Sequence, residues 1–284
     1  MSFPSAPAAS IAALQGLLAT PRRCVVVTHY NPDGDALGSS TGLVALLKAA
    51  GHSAQVVLPN TPPGNLHWMP GYAEAIAWDT AKAESETAVR EADVVFCLDF
   101  NKQDRVGQLE QVLRNAPVKV LIDHHRDPDG FAAVAFSDTK ACATAQMVFD
   151  IAGAMGWLQH LTADSATCLL TGLITDSGSF RFSSTTPHTL KVGAALMEKG
   201  AVPDRIHSAV MDDNSETRMR LMGFTLSERL EVLHEQGTAI MHLTDKDLQR
   251  FDFKPGDTEG FVNLGLSIRG IRLAAFFIQR GELV

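Results

Sequence analysis

Short runs of β-branched residues, each leading into an acidic or imidazole side chain, constrain this 284-residue chain more than any other feature. The three runs are Cys24-Val-Val-Val-Thr28 before His29, Asp93-Val-Val-Phe-Cys-Leu98 before Asp99, and Val118-Lys-Val-Leu-Ile122 before Asp123. Segments with helical spacing of apolar residues separate them, and this alternation predicts an α/β fold with a mainly parallel sheet and flanking helices. Ligands bind such sheets beyond the carboxyl ends of the strands, so the polar residues there form the candidate site.

Further elements follow the same pattern in the first two thirds of the chain. Ala54-Gln-Val-Val-Leu58 predicts another strand, and residues 141–153 and 162–175 have the apolar spacing of helices. Thr162 stands where it would cap the second of these helices. Gly51 stands where a helix beginning near residue 36 would end.

From about residue 187 the pattern changes, which indicates a second domain. Helices are predicted near 188–199 and 203–211, and a hairpin within Leu230–Leu243. We predict a catalytic domain over 1–187, a helical linker over 188–215 and a smaller α/β C-terminal domain over 216–284.

Composition excludes several classes of protein. The 24 Lys and Arg against 32 Asp and Glu leave a net charge of −8, whereas proteins that bind long duplex nucleic acid through its phosphates are normally basic. No run approaches the ~18 apolar residues of a membrane span, and the N-terminal apolar stretch lacks the preceding positive charge of a secretory signal. The four cysteines have no CxxC spacing and lie in apolar segments, so we expect buried thiols in a reducing cytoplasm.

Acids and histidines concentrate at the predicted strand ends. They are His29, Asp33 and Asp35 in one turn, Asp99, the triplet Asp123-His124-His125, and Asp176 at the end of a helix. Acids brought to one sheet edge repel each other, and cations relieve that repulsion. Oxygen ligands with imidazoles and no thiolate favour Mn²⁺ or Mg²⁺ over structural zinc, and so many ligands suit two ions rather than one.

Each of these residues alone also fits a structural role. An Asp after a strand is often only a helix cap, and Asn-Pro-Asp-Gly is an ordinary turn sequence. The functional interpretation depends on the combination, in this order, of His-x3-Asp-x-Asp, a strand-end Asp, Asp-His-His and Thr-Asp-Ser-Gly.

With these motifs the sequence resembles the DHH phosphoesterase superfamily, specifically its bacterial oligoribonuclease and phosphoadenosine-phosphate phosphatase subgroup. The matching segments are His29–Ala36, Leu98-Asp99, Asp123-His124-His125, Asp176–Arg181 and, in the second domain, Glu259–Asn263 and Leu266–Gly270. The resemblance implies that His29, Asp33 and Asp99 hold one metal ion. It also implies that Asp35, Asp99, His124 and Asp176 hold the other, with Asp99 bridging.

The resemblance also suggests roles for three further residues. It places His125 at the scissile phosphate, as a ligand or as the acid for the leaving group. Asp123 would orient a neighbouring histidine, although we keep it with His125 among the candidate catalytic residues. Arg181 is a candidate phosphate contact because a guanidinium can bind two oxygens, and a solvated surface ion pair is the alternative.

The activity that the resemblance implies is metal-dependent cleavage of short RNA oligonucleotides or linear dinucleotides to nucleoside 5′-monophosphates, with Mn²⁺ preferred. Removal of the 3′-phosphate of phosphoadenosine phosphate is a further expectation. The expected partners are short single-stranded oligonucleotides or nucleotide phosphates, and a homodimer is left open. The alternatives are an inorganic pyrophosphatase or exopolyphosphatase, which shares the metal scaffold, and a non-catalytic nucleotide-binding module.

One departure from the family concerns the C-terminal domain. Family members usually finish with a glycine-rich run ending in histidine that grips the substrate, whereas this chain stops at Phe276–Val284. We therefore expect the C-terminal domain to be truncated, with impaired turnover if the natural protein also ends there.

Overall fold

A computed structural model describes residues 3–212, 214–254, 256–279 and 281. The chain forms two compact units, Met1–Val210 and Met211–Val284. No helix within the described residues has the length and apolar character needed to cross a bilayer.

The first unit contains eight helices and six strands among its described residues. In chain order they are α1 (Ala8–Leu17), β1 (Arg23–Thr28), α2 (Gly34–Ala49), β2 (Ser53–Leu58), β3 (Ile76–Ala77), α3 (Lys82–Glu91), β4 (Val94–Leu98), α4 (Glu110–Arg114), β5 (Lys119–Asp123), β6 (Val134–Ser137), α5 (Thr144–Ala154), α6 (Ala163–Asp176), α7 (Pro187–Glu198) and α8 (Pro203–Val210). Short 3₁₀ turns lie at Gly64–Leu66, Tyr72–Glu74, Gln103–Leu109 and Leu158–His160.

The six strands form one parallel sheet in the order β3-β2-β1-β4-β5-β6. Successive strands extend the sheet in one direction from β1 to β3, and from β4 to β6 they extend it in the other. The central strands are apolar at almost every position because helices cover both faces of the sheet. The point where the direction reverses, between β1 and β4, is where open α/β sheets bind their ligands.

Two apolar cores lie against the sheet. Alternate residues of each strand point to opposite faces, so Val26 and Phe96 belong to one core and Val25 and Val95 to the other. The larger core includes residues of α2, α5 and α6, and the smaller one includes residues of α3 and α4. The four cysteines are buried free thiols, as the sequence predicted.

Helices α2 and α6 approach each other unusually closely along a row of glycines. Gly34, Gly38 and Gly42 follow one another at four-residue intervals on α2 and therefore share one face. A methyl group added at Gly34 would meet the Thr175 side chain at 2.5 Å, and one added at Gly38 would collide with the Cys168 carbonyl. The glycines thus bring the acidic start of α2 next to the acidic end of α6.

The second unit contains α9 (Glu216–Glu228), β7 (Leu230–Leu233), β8 (Thr238–Leu243), α10 (Asp245–Arg250), α11 (Phe261–Leu266) and β9 (Leu273–Ile278). Strands β7 and β8 form an antiparallel hairpin, and β9 pairs with β8 in parallel. Leu221, Leu243 and Phe261 form the centre of its small core. The guanidinium of Arg229 donates two hydrogen bonds to the Asp247 carboxylate, at 3.0 and 2.9 Å.

The fold class predicted from sequence is confirmed, with a large parallel α/β unit and a smaller unit that contains its own sheet. Patterning did not find the two-residue β3, the four-residue β6, α1 or α3. We predicted domain boundaries at 1–187, 188–215 and 216–284, and the roles of these domains stay a prediction. The first compact unit includes α7 and α8, which the sequence analysis assigned to a linker. The predicted truncation rests partly on residues 280 and 282–284, which lie outside the described residues.

Candidate metal centre

His29 follows β1 and is buried with its Nε2 atom facing two carboxylates. Its Nδ1 atom lies 2.9 Å from the Tyr30 carbonyl oxygen, which can only accept a hydrogen bond, so Nδ1 carries the proton. The Nε2 lone pair therefore remains available, 3.5 Å from Asp99 Oδ2 and 3.8 Å from Asp33 Oδ2. A backbone carbonyl that fixes the ring in this way is typical of histidines that bind metals.

Asp33 and Asp35 lie at the start of α2 and have different environments. Asp33 caps the helix, since its Oδ1 atom accepts hydrogen bonds from the amides of Asp35 and Ala36, both at 3.0 Å. Asp35 is fully buried, and its two carboxylate oxygens accept the amides of Thr144 at 2.6 Å and Ala145 at 2.9 Å. The Asp35 carboxylate thus sits at the N-terminus of α5, where the helix dipole stabilises negative charge.

Asp99 follows β4 and lies between two imidazoles. Its Oδ2 atom is 3.5 Å from His29 Nε2, and its Oδ1 atom is 3.5 Å from His124 Nε2. The Thr144 hydroxyl donates a 2.9 Å hydrogen bond to Oδ1. The backbone of Asp99 is left-handed, with φ 65°, a conformation that Asp and Asn adopt more readily than most residues. Asp99 therefore offers one oxygen to each side of the cluster.

His124 and Asp176 complete the side of the cluster nearer α6. His124 Nδ1 lies 3.3 Å from the Ala141 carbonyl, which leaves Nε2 available 3.2 Å from Asp176 Oδ2. Asp176 is the last residue of α6 and is partly exposed, as expected for a carboxylate at the mouth of a site.

Asp123 and His125 form a separate pair beside the cluster. Asp123 is fully buried at the end of β5, and His125 Nδ1 lies 2.7 Å from its Oδ1 atom. Asp123 Oδ2 also accepts the backbone amide of His125, at 3.2 Å. Asp123 therefore orients His125 and leaves Nε2 of the partly exposed imidazole available to a ligand.

The electrostatics of the cluster show a concentration of negative charge that needs a counter-charge. Burial, followed by the charges of Asp99 and Asp176, raises the pKa of Asp35 well above its usual value. Burial also raises the pKa of Asp176 to about 6. Burial alone would lower the pKa of His124. The hydrogen bond to Asp99 and the negative charges of the neighbouring carboxylates outweigh this effect and raise that pKa to about 10. A divalent cation would supply the same counter-charge as a protonated imidazole and displace its proton.

The clustered ligand atoms fit divalent cations. Three overlapping groups of side chains each offer ligand atoms within 4.8 Å of one another: His29, Asp33 and Asp99; Asp35, His124 and Asp176; and Asp99, His124 and His125. Carboxylate oxygens with imidazole nitrogens suit Mn²⁺ and similar ions, and each histidine has its other nitrogen held by a carbonyl or carboxylate. The residues present therefore fit the metal that the sequence predicts.

Of the nine site residues predicted from sequence, eight have a place in this cluster or in the Asp123–His125 pair beside it, and Arg181 is the exception. Arg181 is exposed, and its guanidinium lies 5.5 Å from the centre of the Phe182 ring, so its contact with a phosphate stays a prediction. Sequence reasoning did not find the contacts that Thr144 and Ala145 make. The available signal was the start of a predicted helix, where free amides bind anions.

Comparison with known proteins identifies the family of this chain. A model of the DHH family, N-terminal domain, matches residues 23–173. The chain belongs to the DHH family of phosphoesterases, as its motifs predicted.

Two relatives share the name bifunctional oligoribonuclease and PAP phosphatase NrnA. The one from Thermus thermophilus is 32% identical over 90% of this chain and 72% of its own length. The one from Bacillus subtilis is 24% identical over 90% of this chain and 77% of its own length. A solved structure of an exopolyphosphatase-related protein from Bacteroides fragilis has a TM-score of 0.94 and 33% identity, covering 98% of this chain and 82% of that one.

Proposed function

We propose that the clustered side chains hold two divalent cations, preferably Mn²⁺. His29, Asp33 and Asp99 would bind one ion, and Asp35, Asp99, His124 and Asp176 the other, with Asp99 shared. The observation that carries this proposal is the position of Asp99, whose two oxygens face different imidazoles. Such a pair of ions supplies an activated water and neutralises the charge of phosphate oxygens.

His125 would hold and deliver a proton at the leaving group. The Asp123 carboxylate accepts a hydrogen bond from Nδ1 of His125. Nε2, on the other side of the ring, is therefore the atom that can face a leaving oxygen. Replacing Asp123 should therefore affect the reaction through the orientation of His125.

The proposed reaction is hydrolysis of short RNA oligonucleotides or linear dinucleotides to nucleoside 5′-monophosphates, and removal of the 3′-phosphate of phosphoadenosine phosphate. The names of the two NrnA relatives, which match 90% of this chain, support this substrate class. The net charge of −8 supports short substrates over long duplexes, which proteins bind through many cationic contacts. The four buried thiols support a reducing compartment, the cytoplasm.

The test is a comparison of three substrates at equal concentration, with Mn²⁺ supplied: a diadenylate, phosphoadenosine phosphate and inorganic pyrophosphate. We expect release of 5′-AMP from the first two and little hydrolysis of pyrophosphate. A matched Asp99→Asn variant should be inactive on all three. Efficient hydrolysis of pyrophosphate alone would refute the nuclease proposal.

That outcome would favour the second candidate, a pyrophosphatase or exopolyphosphatase. The similarity to the exopolyphosphatase-related structure supports this candidate. The same metal ligands would serve both reactions, so the substrate comparison rather than the metal content decides between them.

A further inference from the structure

The start of α5 contacts two of the clustered carboxylates at once. The amides of Thr144 and Ala145 donate to the two oxygens of Asp35, at 2.6 and 2.9 Å. The Thr144 hydroxyl donates to Oδ1 of Asp99 at 2.9 Å. The side chains of Thr144, Asp35 and Asp99 are all buried, so water does not compete for these bonds.

This use of the Thr144 hydroxyl is unusual for a residue at a helix start. Ala143 occupies the capping position of α5, and its side chain makes no capping hydrogen bond. The carboxylate of Asp35, more than 100 positions earlier in the sequence, accepts the first amides of the helix instead. A hydroxyl at a helix start commonly binds a backbone amide of its own helix. Here it is directed to Asp99 instead.

The Thr144 hydroxyl contacts only one of the two oxygens of the Asp99 carboxylate. A carboxylate rotates in a broad energy well about its last torsion angle, so its two oxygens are not fixed by the backbone. An ionised carboxylate only accepts hydrogen bonds, and the Thr144 hydroxyl donates to Oδ1 alone. With Oδ1 held on the His124 side, Oδ2 lies on the His29 side.

We propose that Thr144 is a positioning residue that divides the Asp99 carboxylate between the two metal positions. This inference rests on the proposed function, because it requires two cations sharing Asp99. Without the hydroxyl, the Asp99 carboxylate would rotate, and its two oxygens would no longer each bind a different ion. The two ions then bind more weakly and lose the bridge between them.

The experiment measures Mn²⁺ binding by titration calorimetry and the electron paramagnetic resonance spectrum of the loaded protein. Two Mn²⁺ ions that share a carboxylate at a separation of ~3.5–4 Å give an exchange-coupled spectrum, unlike the spectrum of isolated ions. Thr144→Val keeps the shape and removes the hydroxyl, Thr144→Ala removes the hydroxyl with less bulk, and Thr144→Ser keeps the hydroxyl. Thr171→Val is the matched control, since Thr171 is also buried but bonds only a carbonyl of its own helix.

We expect Thr144→Val and Thr144→Ala to lower Mn²⁺ affinity about 10–100-fold, as loss of a partner of a metal ligand typically does, and to lose the coupled spectrum. Thr144→Ser and Thr171→Val should keep both properties. The proposal is overturned if a folded variant without the Thr144 hydroxyl keeps wild-type affinity and coupling, or if Thr144→Ser loses as much as Thr144→Val. A wild-type chain that binds no Mn²⁺ would instead refute the proposed function itself.

Discussion

Gly172→Ala tests whether the close packing of α6 holds the candidate metal centre together. Gly172 lies within α6, and a methyl group there would be 2.5 Å from Asp35 Oδ1, 2.7 Å from Ala145 Cβ and 3.2 Å from Asp35 Cα. Ordinary contact begins at 3.4 Å, so the Asp35 oxygen would have to move by about 0.9 Å. The carboxylate cannot rotate away freely because the start of α5 holds both of its oxygens.

The magnitude follows from two opposing effects. Overpacking in a buried region costs about 1–3 kcal/mol. Replacement of glycine by alanine within a helix gains about 1 kcal/mol. We therefore expect Gly172→Ala to lower the free energy of unfolding by up to about 2 kcal/mol. A displacement approaching 1 Å at a reacting site costs about 100-fold in activity, so turnover with Mn²⁺ should fall by that order.

Urea unfolding and the diadenylate assay measure the two effects. Gly16→Ala is the matched control because Gly16 lies within α1 with nothing within 4 Å of the added methyl group. That control should gain stability by up to about 1 kcal/mol and keep full activity. Our reasoning fails if Gly172→Ala is stabilised as Gly16→Ala is, or if it retains wild-type activity and Mn²⁺ affinity.

Three further predictions concern the cluster and its surroundings. Asp99→Asn keeps a residue suited to φ 65° but removes the negative charge that the two ions would share. Calorimetry should show Mn²⁺ binding falling from about two ions to fewer than one per chain. Two ions bound at wild-type affinity would contradict the bridging role of Asp99. The pKa of His124 is raised to about 10, so metal binding near pH 7 must displace a proton. Mn²⁺ affinity should therefore rise with pH from 6 to 8, and paired-buffer calorimetry should detect the release of at least one proton. A flat profile would argue against His124 as a ligand. Tyr30 is half exposed and lies next to His29 in the sequence. Tyr30→Ala should raise KM for a diadenylate about tenfold by loss of base stacking, while Tyr30→Phe should keep the wild-type KM. An equal rise in KM for an abasic analogue would exclude stacking.

Much of the fold could be predicted because its signals are local. The central strands are nearly unbroken apolar runs, and each run is followed directly by a residue of the cluster. Asp176 was predicted as the end of a helix, and α6 ends there. The two-residue β3 and four-residue β6 are too short to establish a period of their own, which is why patterning did not find them.

The arrangement around the ligands depends on distant segments, which local patterns do not report. Asp35 and Thr144 are 109 positions apart, and nothing in either segment specifies that a carboxylate will cap α5. The glycines at 34, 38 and 42 were visible at four-residue spacing, but only the structure shows that α6 packs against them. Sequence therefore indicated which residues carry the chemistry, whereas tertiary contacts determine how each one is oriented.

The distribution of the ligands along the chain has a consequence for biosynthesis. The cluster draws on residues from His29, near the start of the chain, to Asp176, at the end of α6. During translation, strands β1 to β5 leave the ribosome before α6, at ~5–20 residues per second. A nascent chain therefore carries Asp33, Asp35 and Asp99 for several seconds before the last ligand arrives. We expect tight binding of cations only after α6 packs against α2, so metal binding should indicate that this unit has finished folding.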